Sequence, residues 1–271
     1  MAEIYLAENR ETEREIEQIF DEKCGYGAYY EKAKAPFTRS DMCGPCDLLT
    51  LGYQKFDNLL APERCVELIK STDGPLKNWV QTTHKRKIIS ILKEIITDDV
   101  DKSIISHFES EYLPTTVGFS RTEAGFDAES ARWHYDGGPN KHLVMMIYLT
   151  DCEPDGASTT IFANRKTSET FIEIGYAFGP VDKRLDNDGA LELAKLNGIE
   201  FEPINLNTKA GDAVLFDARH IIHRGFYPKI EPRYTIAASF VPYANNWEEG
   251  CDITFFPRQM GHYDSYPAVT W

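Results

Sequence analysis

The tetrapeptide Trp133-His134-Tyr135-Asp136 decides how the rest of the sequence is interpreted. Side chains two residues apart on a β-strand point to the same side, so His134 and Asp136 can hold one metal ion while Tyr135 faces away. A second imidazole, His223, follows much later in the chain. Two imidazoles and one carboxylate make up the facial triad that binds Fe(II) and leaves three adjacent coordination positions open.

The residues on both sides of His223 fit its role as the third ligand. Residues 210–217 read Ala-Gly-Asp-Ala-Val-Leu-Phe-Asp, which predicts a turn and then a buried strand that carries the chain back across a sheet. Arg233 and Thr235 share one face of a later strand, where a guanidinium can bind a carboxylate through two hydrogen bonds. A metal site beside such an arginine indicates a 2-oxo acid as cosubstrate.

The rest of the chain predicts a β-rich domain with flanking helices. Short β-branched or aromatic runs, bounded by Gly, Pro, Asp and Asn, predict strands at residues 115–119, 143–150, 158–163, 213–217 and 234–241. Short strands separated by turns are typical of a sandwich or barrel. Apolar residues that recur at three and four positions predict helices at residues 61–70 and 83–97, before most of these strands.

Two segments differ from this pattern. Residues 1–50 are predicted to form an N-terminal extension, with an exposed helix at residues 8–20 and an irregular, aromatic-rich part around residues 24–30. Residues 51–271 are then the main domain. Within it, residues 175–198 are rich in Gly and Asp, carry one short helix at residues 190–196, and interrupt the strands. Long insertions of this kind commonly act as lids over a site.

Taken in order, these pieces resemble the Fe(II)/2-oxoglutarate-dependent oxygenase superfamily, and most closely its phytanoyl-CoA-dioxygenase-like branch. The resemblance spans residues 51–241. It is carried by Gly52-Tyr53 with residues 60–65, His134-x-Asp136, residues 155–158, Gly211-Asp212 with His223, and Arg233-Tyr234-Thr235. This family implies a mainly β domain folded as a double-stranded β-helix, the jelly roll that cupins also have.

The resemblance also implies an enzyme, a 2-oxoglutarate-dependent non-haem iron dioxygenase. Its Fe(II) would be held by His134, Asp136 and His223. Related halogenases replace the carboxylate ligand with a small residue, so the presence of Asp136 favours hydroxylation over halogenation.

The cosubstrates that the resemblance implies are 2-oxoglutarate and O2, with succinate and CO2 as products. The far carboxylate of 2-oxoglutarate would meet Arg233 and Thr235. Tyr148, on a central strand, is a further candidate for a hydrogen bond to 2-oxoglutarate, with a purely structural core tyrosine as the alternative.

The predicted substrate is a polar small molecule of metabolism or biosynthesis. Aromatic and hydrogen-bonding residues flank the predicted strand ends, and buried polar groups need polar partners. These residues are Trp133, Tyr135, Asn140, Asn164 and Arg165. Two alternatives remain open at this point: a protein or peptide side-chain hydroxylase of the same fold, and a non-catalytic, cupin-like protein that binds metal.

Composition excludes other classes. The chain has 43 acidic and 29 basic side chains and a formal net charge of −14, which argues against nucleic acid and anionic membranes as partners. The sparse cysteines favour a cytoplasmic protein. The oligomeric state stays open.

Two further motifs are set aside. The second copy of the metal-binding motif, His262-Tyr263-Asp264, lacks a strand context and is interpreted as a coincidence. The pair Cys43 and Cys46 has the spacing of a redox motif without the βαβ context that such a motif needs.

Overall fold

The computed structural model describes residues 26–39, 46–72, 85–125, 129–136, 141–152, 160–174, 176, 184–226 and 228–250. The helix predicted at residues 8–20, the second motif copy at His262 and Asp264, and Cys43 lie outside these ranges. Much of the predicted lid also lies outside them, since only Tyr176 and residues 184–198 of that segment are described.

Helices and strands alternate in groups along the chain. The helices are α1 (Tyr26–Lys34), α2 (Asp47–Leu51), α3 (Pro62–Thr72), α4 (Lys85–Ile95), α5 (Asp98–Phe108), α6 (Arg165–Glu173), α7 (Asn187–Leu196) and α8 (Trp247–Gly250), with a 3-10 turn at Glu129–Ala131. The strands are β1 (Tyr53–Phe56), β2 (Glu111–Thr122), β3 (Leu143–Tyr148), β4 (Thr160–Phe162), β5 (Ile204–Asn205), β6 (Ala213–Phe216), β7 (His223–Gly225) and β8 (Arg233–Tyr243).

Five strands form the major sheet, in the order β1-β6-β3-β8-β2, with every neighbouring pair antiparallel. Alternate residues of β3 point to opposite faces. Met145 and Ile147 join the main core, which the sheet shares with α3, α4 and α5, whereas Val144 and Tyr148 face the other way. The predicted strands at residues 115–119, 143–150, 213–217 and 234–241 are confirmed here, although β2 and β8 run longer.

A minor sheet, β5-β4-β7, faces the major sheet across a second group of buried residues. Phe162 on β4 packs edge-on against Phe216 on β6, with 5.2 Å between ring centroids. The Tyr148 hydroxyl donates to Thr160 Oγ1 at 2.8 Å and accepts from the Thr160 N–H at 2.9 Å. We call the volume between these two sheets the inner space, and the face of each sheet that lines it the inner face.

The turn before β6 shows why the sequence needs Gly211-Asp212. Gly211 has φ of +96°, a conformation that L side chains rarely adopt, and a Cβ there would collide with the carbonyl oxygen of Leu60. The Asp212 carboxylate accepts hydrogen bonds from the backbone N–H groups of Asn58 and Lys209. Glycine and aspartate together therefore fix the entry into β6, the strand that leads toward His223.

The helical predictions needed two corrections. The helix expected over residues 83–97 is α4, which ends at Ile95, and a second helix, α5, begins at once because Thr97 caps it by accepting the Val100 N–H. Residues 24–30 were expected to be irregular, but helix α1 begins at Tyr26. Its Tyr30 hydroxyl donates to the carbonyl of Phe108, so contacts with the main domain stabilise a helix that its own apolar pattern does not indicate.

Helices α6 and α7 cover the outer face of the minor sheet. A separate buried cluster, which we call the outer core, joins Phe171 of α6 and Leu193 of α7 to Trp133, Tyr135 and other residues of the sheet. Within the described ranges, no helix combines the length and apolar character needed to cross a bilayer.

Candidate metal centre

Backbone hydrogen bonds bring the three predicted ligands together. His134 and His223 form a mutual antiparallel pair, in which the His134 N–H donates to the His223 carbonyl at 2.9 Å and the His223 N–H donates to the His134 carbonyl at 2.7 Å. The Asp136 N–H donates to the carbonyl of Ala218 at 2.8 Å. The segment that carries His134 and Asp136 thus lies beside β7 and extends the minor sheet.

The side chains of these residues converge on one point. Asp136 Oδ1 lies 3.7 Å from His134 Nε2 and 3.9 Å from His223 Nε2, and one ligand atom from each residue lies within 4.8 Å of the other two. Both imidazoles are buried, while Asp136 keeps 35 % of its side-chain surface exposed. The cluster is therefore accessible from the Asp136 side, and it is the only such cluster of His, Cys, Asp and Glu within the described ranges.

Both imidazoles have one nitrogen already in use. His134 Nδ1 lies 2.6 Å from the carbonyl oxygen of Arg132, and His223 Nδ1 lies 2.8 Å from that of Ile221. Because a carbonyl can only accept, each Nδ1 carries the proton, and each Nε2 presents a lone pair to the cluster. Burial, followed by the neighbouring His223, lowers the pKa of His134 to about 3 and keeps its ring neutral. Two imidazoles whose Nε2 atoms face the cluster, together with a carboxylate, are a suitable donor set for a divalent transition metal.

The turn between β6 and β7 is held by Asp217, a residue that the sequence did not single out. Its carboxylate accepts from His220 Nδ1 at 2.9 Å, and its backbone carbonyl accepts from the N–H groups of His220 and Ile221. Burial is the largest single influence and would raise the pKa of Asp217, but the hydrogen bond from His220 and the charges of His220, His107 and Arg165 together outweigh it, so the net pKa is lowered. This ionised carboxylate supports the turn that presents the Ala218 carbonyl to Asp136.

The predicted cosubstrate residues lie on the inner face of the major sheet. Arg233 and Thr235 alternate with Ile236, which belongs to the main core, and Thr235 pairs directly with Tyr148 on β3. The Arg233 guanidinium extends to the minor sheet, since a Cβ built on Gly225 would lie 3.8 Å from its Nη2. Tyr148 is a structural link between the sheets and also lies beside Thr235, so both interpretations of this residue remain compatible with its position.

The role of Gly225 in the site was not predicted, although the sequence contains a pattern that indicates it. It stands two residues after His223 on β7, so both residues face the same side. A larger side chain at this position would occupy the volume between His223 and Arg233. A glycine two residues after a ligand histidine is the pattern that could have revealed it.

Two of the residues expected to line a polar pocket lie elsewhere. Trp133 and Tyr135 are buried in the outer core, on the face opposite the metal ligands. Asn164 caps α6 by accepting the Thr167 N–H, and Arg165 lies 3.9 Å from the Asp217 carboxylate. Asn140 is outside the described ranges. The expectation that Trp133 and Tyr135 line a polar pocket is therefore wrong, and for Asn164 and Arg165 it stays a prediction.

Solved structures share this architecture and confirm the predicted jelly roll. The chain aligns with "EctD from S. alaskensis with bound Fe" at a TM-score of 0.54 and 12 % identity, covering 75 % of this chain and 79 % of that one. It aligns with the same protein "with 2-oxoglutarate and 5-hydroxyectoine" at a TM-score of 0.52 and 13 % identity, covering 78 % and 80 %. For SnoN, a "non-heme alpha ketoglutarate dependent epimerase" from nogalamycin biosynthesis, the TM-score is 0.50 at 12 % identity, covering 85 % and 91 %.

These similarities establish the fold. No family model matches the sequence, and no curated protein is detectably similar to it. The fold is thus the one found in iron- and 2-oxoglutarate-dependent enzymes, as the sequence resemblance implied, and the assignment to the phytanoyl-CoA-dioxygenase-like branch stays a prediction.

Proposed function

We propose that this chain is an Fe(II)- and 2-oxoglutarate-dependent dioxygenase. The observation that carries the proposal is the convergence of His134, Asp136 and His223 on one point, with the Arg233 guanidinium reaching Gly225 on the strand that bears His223. The fold supports the same conclusion, because iron and 2-oxoglutarate are bound in solved structures of this architecture.

The triad fits Fe(II) by its donor chemistry. Its two Nε2 lone pairs and one carboxylate oxygen come from one side, which leaves the opposite positions of an octahedral ion for other ligands. The Nδ1 protons are held by backbone carbonyls, so neither ring has to reorient when a metal binds. The rings of Phe216 and Phe162 lie 4.8 and 6.4 Å from that of His223 and keep water away from its buried edge.

The inner face fits 2-oxoglutarate by length and charge. Gly225 lies two residues from His223, about 6.6 Å along a strand that rises about 3.3 Å per residue. A five-carbon dicarboxylate spans roughly that distance, so one end can reach the triad while the other meets Arg233. Thr235 adds a hydroxyl beside the guanidinium, and the missing side chain at Gly225 leaves room for the carbon chain.

When bound, iron and 2-oxoglutarate supply the oxidising power, since O2 oxidation of the cosubstrate yields succinate and CO2 and transfers one oxygen atom to the substrate. The chain's own residues hold these reactants in place. Arg233 orients the dicarboxylate, the backbone carbonyls of Arg132 and Ile221 orient the imidazoles, and the aromatic rings restrict water. The exposed side of Asp136 is the route by which a substrate approaches.

The proposed reaction is hydroxylation of a polar small molecule. A retained carboxylate ligand at position 136 supports hydroxylation, because it occupies the position that a halide would need. The partly exposed Asp136 carboxylate and the polar Thr235 and Tyr148 hydroxyls make this end of the inner space more polar than its aromatic middle.

Anaerobic titration with Fe(II) and then 2-oxoglutarate tests the proposal. The expected result is a visible charge-transfer band that appears only when both are present, followed by succinate formation on admission of O2. The Asp136→Ala variant should show neither, and His262→Ala should behave as the unaltered protein does. Iron binding with no 2-oxoglutarate-dependent band would favour the metal-binding, cupin-like alternative.

Substrate class needs a second measurement. Succinate formation above the substrate-free rate can be compared between a panel of polar metabolites and a panel of proline- and lysine-containing peptides. Stimulation by metabolites supports the proposal. Stimulation by peptides alone would replace it with the protein-hydroxylase alternative.

A further inference from the structure

Residues 184–186 lie directly beside the segment that carries the metal ligands. The Trp133 N–H donates to the Leu185 carbonyl at 2.8 Å, and the two residues form an antiparallel bridge. The Tyr176 hydroxyl strengthens this contact, since it donates to the Trp133 carbonyl at 2.5 Å and accepts from the Leu185 N–H at 3.2 Å. Tyr176 is buried, so the segment is attached to the minor sheet by main-chain and phenol hydrogen bonds.

The register of this bridge determines which side chain faces the metal. In an antiparallel pair, residues directly opposite each other point to the same face. Leu185 lies opposite Trp133, and both pack in the outer core. Arg184 therefore lies opposite His134, on the inner face.

Arg184 occupies a different position from Arg233. The bridges place β7, the His134 segment and the Arg184 segment side by side in that order. Arg233 extends to Gly225 on β7, whereas Arg184 lies beyond His134, about two strand spacings of 4.8 Å from β7. One anion lying along β7 cannot fill both positions.

Two other arginines near the ligands in sequence, Arg219 and Arg224, face away from the centre. The guanidinium of Arg219 lies 5.3 Å from the Tyr135 ring, and that of Arg224 lies 5.4 Å from the Trp133 ring. Both aromatic rings belong to the outer core. Proximity in sequence therefore does not select Arg184, but its position on the inner face does.

We propose that Arg184 binds an oxyanion of the substrate, a carboxylate or a phosphate, and so selects an acidic small molecule for oxidation. The inference rests on the proposed function and names the substrate class for the same site. A planar guanidinium binds either oxyanion through paired hydrogen bonds, and partial burial strengthens them. The chain's net charge of −14 opposes anions in general, so this selection requires a local positive group.

Non-reacting probes can test this binding without turnover. The protein is loaded under argon with Mn(II) and 2-oxoglutarate, and the paramagnetic relaxation of acetate protons and of methylphosphonate phosphorus is measured as each probe is titrated. Enhanced relaxation reports both the affinity of the probe and its proximity to the metal. The same samples give the affinity for 2-oxoglutarate by calorimetry.

The variants are Arg184→Gln, Arg184→Lys and the control Arg121→Gln. Arg121 lies on β2 and pairs with the exposed Glu123, so its removal takes away the same group outside the inner space. The preferred probe should lose affinity at least about tenfold in Arg184→Gln, retain part of it in Arg184→Lys, and be unaffected in the control. The probe that depends more on Arg184 distinguishes carboxylate from phosphate.

Equal relaxation of both probes in Arg184→Gln and the unaltered protein would overturn the inference while leaving the proposed function intact. Loss of 2-oxoglutarate affinity together with probe affinity would also overturn it, because Arg184 would then serve the cosubstrate or the fold. If the unaltered protein bound neither Mn(II) nor 2-oxoglutarate, the proposed function itself would fail, and this inference with it.

Discussion

Replacing Arg233 by Ala should convert the protein from one that prefers 2-oxoglutarate into one that is indifferent to the far carboxylate. Arg233 is 9 % exposed and projects into the inner space at Gly225. Without it, the far carboxylate of a bound 2-oxoglutarate would be buried without its positive partner, at a cost of about 3 to 5 kcal/mol. At about 1.4 kcal/mol for each factor of ten, the dissociation constant should rise by roughly 100- to 4,000-fold.

The sharpest assay compares 2-oxoglutarate with 2-oxopentanoate, which has the same number of carbons but ends in a methyl group. Calorimetric titration of the Fe(II)-loaded protein under argon gives both dissociation constants. The unaltered protein should prefer 2-oxoglutarate by about two orders of magnitude or more, and Arg233→Ala should bind the two acids about equally. Arg121→Ala should keep the original preference, because that side chain lies in an exposed ion pair.

The affinity for Fe(II) should be unchanged in Arg233→Ala, because Arg233 is not one of the three metal ligands. A variant that still prefers 2-oxoglutarate by the original factor would refute the assignment of Arg233. A variant that loses affinity for both acids to the same extent would show that Arg233 maintains the shape of the inner space instead of binding the carboxylate.

Three further predictions concern the metal, the link between the sheets and a buried histidine. Alanine at any one of the three triad positions should abolish Fe(II) binding in equilibrium dialysis, whereas His262→Ala should not. Loss of Fe(II) binding in His262→Ala, with binding retained in the triad variants, would show that the metal site had been assigned to the wrong residues. Tyr148→Phe should lower the free energy of unfolding by about 1 to 3 kcal/mol, because the buried Thr160 N–H loses an acceptor, and calorimetry should show a melting temperature lower by about 2 to 4 °C for each kcal/mol. Burial lowers the pKa of His107 from 6.5 to about 4, so the unfolded chain binds more protons in that window and stability falls as the pH decreases through it. His107→Gln should flatten this dependence by up to about 1.4 kcal/mol per pH unit in denaturant titrations, and an unchanged slope would contradict the assignment.

The metal ligands could be predicted from the sequence because strand geometry and metal chemistry together constrain only a few residues. The spacing of His134 and Asp136 needs only the two-residue period of a strand, and a third ligand must come from a neighbouring strand. The Gly-Asp turn before β6 carries its own local cause, a positive φ and a carboxylate that caps backbone N–H groups.

Elements that depend on contacts with distant parts of the chain were harder to predict from the sequence. Helix α1 has little apolar periodicity and is stabilised through Tyr30 by a carbonyl far along the chain. Helix α6 begins within a polar run, Asn164-Arg165-Lys166, and the capping function of Asn164 is visible only once its side chain is seen to accept the Thr167 N–H. Local pattern carries no information on such distant or conformation-dependent partners.

The environment of Trp133 and Tyr135 was misjudged for a related reason. Alternation along a strand correctly predicted that Tyr135 faces away from the ligands, but the sequence does not reveal what covers that face. Helices α6 and α7 do, and they convert two apparent pocket residues into parts of the outer core. The position of Arg184 could not be predicted, because it depends on a bridge between Trp133 and Leu185 that no local signal indicates.

The positions of His134, His223 and Asp136 are set by main-chain N–H and carbonyl groups, which nearly every amino acid provides. Substitutions at neighbouring positions can therefore accumulate without moving the ligands, provided that the strands still pair. This accounts for how a chain can retain the architecture of EctD while sharing only 12 % of its residues. For evolution, the consequence is that the hydrogen-bonded backbone can keep the three side chains close together, while the residues around them are free to change.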